Sequence, residues 1–361
     1  LKHFKYNNIV VKVGTNVLTT PEGLLARESM ANLVRQIATL NKNGLNLVLV
    51  SSGAVGAGRS LIKLSEKTHP VETRQVLSSI GQISLIHSYS QLFETYGQLC
   101  AQLLVTKSDF RDRQHYLNMQ TCIKALQKQK VLPIVNENDA VSVSELMFTD
   151  NDELAGLIAS MIHADALIIL TNVDGIYDNR QSDPEKKLIR EIDTKKTDFT
   201  KFISPQTSNF GRGGMITKCN IAQKLAQQGI AVHIANGRYE NAIIDILSGN
   251  QIGTQFLPQK RTSSVKRWVA HSEDHAKGIV YINEGAENAL YNHDIAASLL
   301  PVGIVDIEGE FKKGDIIKIC SKEKKAIGYG MAKYNSKKAR ELVGQKGQTP
   351  LIHYDYLYLK P

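Results

Sequence analysis

The 361-residue chain carries 44 Lys+Arg against 35 Asp+Glu, a formal net charge of +9, and 42% apolar residues. That apolar fraction supports a sizeable core and excludes wholesale disorder, and the length points to two domains, one large and one small. No apolar run is long enough to cross a bilayer, residues 1–8 lack a secretory-signal pattern, and Cys100, Cys122, Cys219 and Cys320 make no CxxC or Cys/His zinc spacing, so free thiols in a cytosolic protein are expected.

The first β-rich run, residues 9–13, contains Lys12 and leads into Gly14-Thr15. A lysine inside an apolar strand is costly unless its ammonium meets an anion. Lys12 therefore either reaches a ligand or a structural carboxylate, or snorkels to a sheet edge. Gly14 permits close backbone approach. Met30, Leu33, Val34, Ile37 and Leu40 then fall on one helical face, with Gly44 as the stop. A second run, 47–50, opens into Ser51-Ser52-Gly53-Ala54-Val55-Gly56-Ala57-Gly58 and Arg59. This small-residue turn offers backbone donors and hydroxyls to an anion, or is simply a tightly packed strand-to-helix turn. It matches neither GxGxxG nor the Walker A pattern.

Further runs at 99–105 and 131–135 follow, the latter interrupted by Pro133, which weakens the strand or marks a bulge. Asn136-Glu137-Asn138-Asp139 ends that run, either as a hydrogen-bonding set for a substrate amine or carboxylate, or as a self-satisfied turn. Thr149-Asp150-Asn151-Asp152-Glu153 precedes a helical face of Leu154, Leu157, Ile158, Met161 and Ile162. Thr149 or Asp150 serves as an N-cap there, yet two aspartates around an asparagine exceed what capping requires. The run 166–170 ends in Thr171-Asn172-Val173-Asp174-Gly175, a nucleotide-pocket edge or a plain Asp-Gly turn. Gly211-Arg212-Gly213-Gly214-Met215-Ile216-Thr217-Lys218 leads into a helix containing Ile221, Ala222, Leu225 and Ala226. Glycines plus a lysine at a helix start suit phosphate, and the polar approach 204–210 reads as a mobile lid. A last run lies at 230–234.

Apolar strands alternating with helices predict an α/β fold with a mostly parallel sheet covered on both faces. Beyond about residue 255 the texture changes. Residues 256–265 read as a linker between a 1–255 domain and a β-rich 266–361 domain, whose short runs at 278–282, 303–307 and 315–320 are separated by turn signals at 283–285, 308–310 and 312–315. The basic excess is spread over the chain, which argues against a dedicated nucleic-acid surface and suits phosphorylated or carboxylate ligands. One cluster stands out: Lys322, Lys324, Lys325, Lys333, Lys337, Lys338 and Arg340 are opposed only by Glu323. Two separated lysines, several glycine loops and no Ser-His-Asp set point to phosphoryl transfer, in which the protein mainly positions and stabilises charge.

Five motifs occur in one order: Val11-Lys12-Val13-Gly14-Thr15, Ser51-Ser52-Gly53-Ala54, Asn136-Glu137-Asn138-Asp139, Asp150-Asn151-Asp152 and Gly213-Gly214-Met215-Ile216-Thr217-Lys218. In this order the chain resembles the amino acid kinase family, in particular its glutamate-phosphorylating members. The tail, with residues 298–304 and Lys333-Tyr334-Asn335-Ser336, resembles the PUA domain appended to many bacterial members. The resemblance implies a three-layer sandwich and transfer of the ATP γ-phosphate to the side-chain carboxylate of L-glutamate, the first step of proline biosynthesis. It implies that Lys12 and Lys218 stabilise the migrating phosphoryl group and that Asp152 orients them. By the same resemblance Ser52, Asp139, Asn151, Asp150, Gly53 and Ala54 serve glutamate. Lys12, Gly14, Thr171, Asn172, Arg212, Gly213, Gly214, Met215, Ile216, Thr217 and Lys218 serve ATP, and Mg²⁺ rides on the nucleotide with no dedicated protein site. No general base is implied, since a carboxylate is already a nucleophile at neutral pH. The resemblance further implies proline feedback inhibition, a homo-oligomer (dimer or tetramer) and coupling to the glutamyl phosphate reductase. Two departures stand out: Asn172 replaces a common aspartate, and Arg212 replaces a small or hydroxylated residue.

Other members, such as acetylglutamate kinase and aspartokinase, fit the β-rich tail less well. An RNA-binding protein on a kinase-like scaffold is the reading from a different class. Retention of Lys12, Asp152 and Lys218 together argues against it, and the basic cluster reads first as a solvated face.

Overall fold

The computed structural model describes residues 4–63, 69–142, 148, 150–178, 187–195, 214–259, 276–291 and 297–360. The chain divides into two units, Leu1–Arg261 and Thr262–Pro361.

In the first unit the strands are β1 (Asn8–Val13), β2 (Asn46–Ser51), β3 (Cys100–Val105), β4 (Leu132–Glu137), β5 (Ala166–Thr171), β6 (Ile176–Tyr177), β7 (Leu188–Ile189), β8 (Glu191–Ile192), β9 (Ala231–Asn236) and β10 (Thr254–Phe256). The helices are α1 (Thr15–Leu18), α2 (Arg27–Lys42), α3 (Ala54–Arg59), α4 (Pro70–Glu94), α5 (Lys107–Arg111), α6 (Arg113–Lys128), α7 (Asn151–Ile162), α8 (Met215–Gln227) and α9 (Ala242–Leu247). The large sheet runs β3-β4-β2-β1-β5-β9-β10-β8. Every pair from β3 to β9 is parallel, and β10 is antiparallel to β9.

Side chains alternate across a strand. Ile9, Val11 and Val13 join one core cluster with Leu33, Val34 and Ile37 of α2, Leu85, Tyr89 and Phe93 of α4, and Ile243 and Ile246 of α9. Val10 and Lys12 therefore face the opposite side, where α7 packs on β1 and α8 packs on α7 and β9. That parity decides the site: the one lysine of β1 is aimed between two helix N-termini.

Pro133 sits inside β4 without a bulge, contrary to one expectation. It pairs with Ala101 of β3, while pairing with β2 begins only at Ile134. A residue without an N–H is accommodated where the second ladder has not yet started. Helix α4 escaped the periodicity reading because its apolar residues ring the helix: Leu77, Leu85, Tyr89 and Phe93 are buried, while Val76 and Ile83 are exposed. It packs on α3 backbone to backbone. A Cβ on Gly81 would stand 1.8 Å from the Ala54 carbonyl oxygen, and one on Gly58 would stand 2.0 Å from that of Leu77.

The second unit holds β11 (Gly278–Ile282), α10 (Glu284–Tyr291), β12 (Ile304–Gly309), β13 (Ile316–Cys320), β14 (Ala326–Met331), α11 (Ser336–Leu342) and β15 (Leu357–Leu359). Its sheet runs β12-β11-β13-β14-β15 around a core of Val280, Ile282, Ile317, Ile319, Leu351 and Ile352. The turn expected at 283–285 is instead a helix start: the Asn283 Oδ1 accepts from the Ala286 N–H at 2.8 Å and caps α10. Of the expected linker, residues 256–259 still touch the first unit's sheet and helix layer, with Leu257 N–H bonded to the Ile192 carbonyl and Gln259 N–H to that of Ala226. Residues 260–265 lie outside the described residues.

Gly81→Ala is expected to lower unfolding stability by about 1–3 kcal/mol by forcing α3 and α4 apart. The urea midpoint measures it, and an unchanged midpoint would show that this approach is not needed.

Candidate active site

Ligands of open parallel sheets bind beyond the carboxyl ends of the strands. At that edge a cleft of about 1120 Å³ is lined by the ends of β1, β2, β4 and β5 and the starts of α3, α7 and α8.

The centre is a buried ion triad. Lys12 Nζ lies 2.6 Å from Asp152 Oδ1, and Lys218 Nζ lies 2.9 Å from Asp152 Oδ2. Asp152 is fully buried, Lys12 is 5% exposed and Lys218 8%. Burial by itself would raise the Asp152 pKa; the two ammonium groups together outweigh it and hold the carboxyl at about 2. Both lysines line the cleft, so two positive charges and one negative face it. The geometry follows from three local structures. Lys12 is the penultimate residue of β1, Asp152 is in the first turn of α7, and Lys218 is one turn into α8, its N–H bonded to the Gly214 carbonyl at 3.3 Å.

Asp150 is the N-cap of α7, its Oδ1 accepting from the N–H groups of Asp152 and Glu153 at 3.0 Å each. Its Oδ2 is buried with no hydrogen-bond partner among the described residues. Burial, reinforced by the Asp152 charge, pushes its pKa up to about 6. Asn151 ties the ends of β2 and β4 together. Its Nδ2 donates to the Ser51 carbonyl at 3.3 Å, the Ser52 Oγ at 2.9 Å and the Asn136 Oδ1 at 3.0 Å. A backbone carbonyl accepts only, so this pattern fixes the amide orientation and leaves the Ser52 O–H able to donate onward. Asn136 in turn donates to Gln82 Oε1 of α4 at 2.9 Å. Gly53 has φ +111°, the left-handed region that admits glycine, and this lets the chain leave β2 and enter α3.

Fourteen of the sequence-expected residues line the one cleft: Lys12, Gly14, Ser52, Gly53, Ala54, Asp139, Asp150, Asn151, Asp152, Thr171, Asn172, Gly214, Met215 and Lys218. Ile216 and Thr217 do not line it; helical spacing puts Lys218 on the face of Gly214 and Met215 and turns these two away, Ile216 being exposed. Thr149, Arg212, Gly213 and the expected lid at 204–210 lie outside the described residues. Sequence reading missed Arg74 of α4. Its Nη2 lies 2.6 Å from Asp139 Oδ1 and 3.2 Å from Glu137 Oε2. It also missed Arg238, which lines the cleft and donates to the Asn16 carbonyl at 3.4 Å. Neither carried a local signal, since each meets its partner only across the fold. Among the described residues no group of three or more His, Cys, Asp or Glu side chains is arranged to hold a metal.

A parallel sheet whose strand ends converge on a lysine–aspartate–lysine triad defines a phosphoryl-transfer class of protein, and the comparisons agree with it. Residues 7–236 match the amino acid kinase family, and residues 278–352 match the PUA domain. The chain belongs to the amino acid kinase family. Two relatives that match across its whole length carry the same name. The glutamate 5-kinase of Chlorobaculum tepidum is 56% identical over 360 residues, covering 100% of this chain and 99% of the relative. That of Bacteroides thetaiotaomicron is 50% identical over 359 residues, covering 99% of each. Among solved structures, carbamate kinase from Giardia lamblia bound to AMP-PNP superposes with a TM-score of 0.53 at 18% identity, covering 71% of this chain and 99% of that one, a likeness of fold.

Asp152→Asn strips two buried ammonium groups of their partner and is expected to cost about 3–5 kcal/mol at neutral pH. The wild-type carboxyl is lowered from its ordinary 3.8 to about 2. Its stabilisation is therefore full above about pH 4 and is lost as pH falls towards 2. Urea unfolding of both proteins from pH 7 to pH 2 should show the gap narrowing only in that window. A gap that is constant with pH would contradict the ion-triad account.

Proposed function

We propose that the protein is a glutamate 5-kinase that transfers the γ-phosphoryl group of ATP to the side-chain carboxylate of L-glutamate. The observation that carries this reading is the Lys12–Asp152–Lys218 triad at the cleft, taken with full-length likeness to glutamate 5-kinases. A side-chain carboxylate oxygen attacks the γ-phosphorus, the bond to the β–γ bridging oxygen breaks, and ADP leaves. The nucleophile is already ionised at neutral pH, so no general base is needed. Charge builds on the phosphoryl oxygens and the leaving oxygen, and the two ammonium groups answer it. Asp152 holds both lysines in place before substrate arrives, so little reorganisation is needed at the moment of transfer.

Ser52, Gly53, Ala54, Asp139, Asp150 and Asn151 are assigned to glutamate. The stretch from Gly214 to Lys218, with Gly14, Thr171 and Asn172, is assigned to ATP, and Arg212 and Gly213 are assigned there from sequence alone. The donor set suits a Mg²⁺ carried mainly by the nucleotide. Both Asp152 oxygens are met by ammonium groups, whereas Asp150 Oδ2 is buried at the cleft with no hydrogen-bond partner among the described residues and would be the carboxylate oxygen to meet such an ion. Mg²⁺ would neutralise phosphate charge there. Glutamyl 5-phosphate, an acyl phosphate, is then consumed by reduction, which fits coupling to a reductase in proline biosynthesis. Feedback by proline, a homo-oligomeric state and a cytoplasmic location belong to the same reading. The 278–352 region is taken as a module that tunes the kinase rather than as an RNA-binding business end.

Hydroxylamine trapping with Mg-ATP and L-glutamate tests this. Hydroxamate should form only with glutamate, and Lys218→Ala should reduce kcat by about 10²–10³-fold. Turnover that is absent with glutamate, or unchanged in the variant, would refute the proposal.

A further inference from the structure

We propose that Arg74 determines substrate specificity by reading the α-carboxylate of the amino acid. The inference rests on the glutamate phosphorylation proposed above. Arg74 lies in the first turns of α4, and its side chain is 25% exposed into the cleft that Asp139 and Glu137 also line. One nitrogen, Nη2, meets both carboxylates. Nη1 and Nε have no partner among the described residues, and a guanidinium has five N–H donors in a rigid fork. Glu137 is itself anchored, its Oε1 accepting from the Phe148 N–H at 3.0 Å.

The side-by-side placing of opposite charges decides what this corner binds. An α-amino acid carries an ammonium and a carboxylate on a single carbon. Asp139 and Arg74, joined at 2.6 Å, present an acceptor and a donor side by side. That pair is the complement of a zwitterion: the ammonium is placed on Asp139 and the carboxylate on the unused edge of Arg74. Arg59 also lines the cleft, but it is exposed and has no carboxylate ion-paired to it among the described residues, so it lacks the acceptor half.

L-Isoglutamine, which keeps the side-chain carboxylate but has the α-carboxylate converted to a carboxamide, separates this role from simple support of Asp139. Hydroxamate formation gives kcat/KM for both compounds with wild type, Arg74→Gln and Arg74→Lys. Where isoglutamine turnover is too slow, its inhibition constant against glutamate supplies the same comparison. Arg74→Gln should lose about 10–100-fold on glutamate and several-fold less on isoglutamine, which shares only the loss of support for Asp139, so that the wild-type preference shrinks. Arg74→Lys should recover part of the glutamate loss, a point charge replacing the fork. An equal fall on both compounds would reduce Arg74 to a brace for Asp139 and overturn the inference, and no fall on either would do the same. Should Arg74→Gln not fold, the same contrast is read from Arg74→Lys. Wild type that forms no hydroxamate from glutamate would instead sink the proposed reaction itself, a failure distinguishable from the loss of contrast in an active enzyme.

Discussion

The structure is organised around one buried carboxylate. Asp152 sits in the first turn of α7 with an ammonium group on each oxygen. A buried charge is tolerated only when paired, and here the pairing spans three distant segments of chain: β1, α7 and α8. Each lysine is held at a cost that its ion pair with Asp152 offsets. The same arrangement leaves positive charge facing the cleft, so what stabilises the interior also makes the site ready for a migrating phosphoryl group.

Around that triad, neighbouring groups are held by their own constraints. Asn151 bridges β2 and β4 through its amide, with its orientation set by a backbone carbonyl. Asp150 caps α7 with one oxygen and leaves the other without a hydrogen bond among the described residues; burial and the Asp152 charge keep its proton affinity high. Two aspartates two residues apart are thus pushed in opposite directions, one by lysines and one by burial. Helix α4 supports this from behind, with Gln82 on Asn136, Tyr89 on Ser51 and Arg74 on Asp139 and Glu137. Its contact with α3 through Gly58 and Gly81 holds the β2–α3 turn against that support.

Legibility in the sequence followed how local each signal was. The inner strands of the parallel sheet were readable because both faces are covered and their runs are largely apolar, whereas β3 at the edge is only partly buried. The helices with a single apolar face, α2, α7 and α8, were readable for the complementary reason. Helix α4 was not, because it is apolar on several faces and shows no single stripe. The Asn283 segment misled because asparagine serves turns and helix caps alike, and only the N–H it accepts from tells them apart.

The sequence by itself determined the order of the strand-end motifs, the presence of two lysines and a surplus of aspartates, and hence the class of chemistry. Those are properties of residue type and spacing along the chain. The tertiary structure decided which carboxylate pairs with which lysine, that Ile216 and Thr217 turn away from the cleft while Met215 and Lys218 face it, and that Arg74 stands beside Asp139. Helical spacing separates the two faces of α8, but which face meets the cleft, like the pairings themselves, depends on strand parity, on sheet order and on packing between distant segments, more than sixty residues apart for Arg74 and Asp139. No local propensity encodes a partner that distant; only the closing of the core brings such groups within a few ångströms.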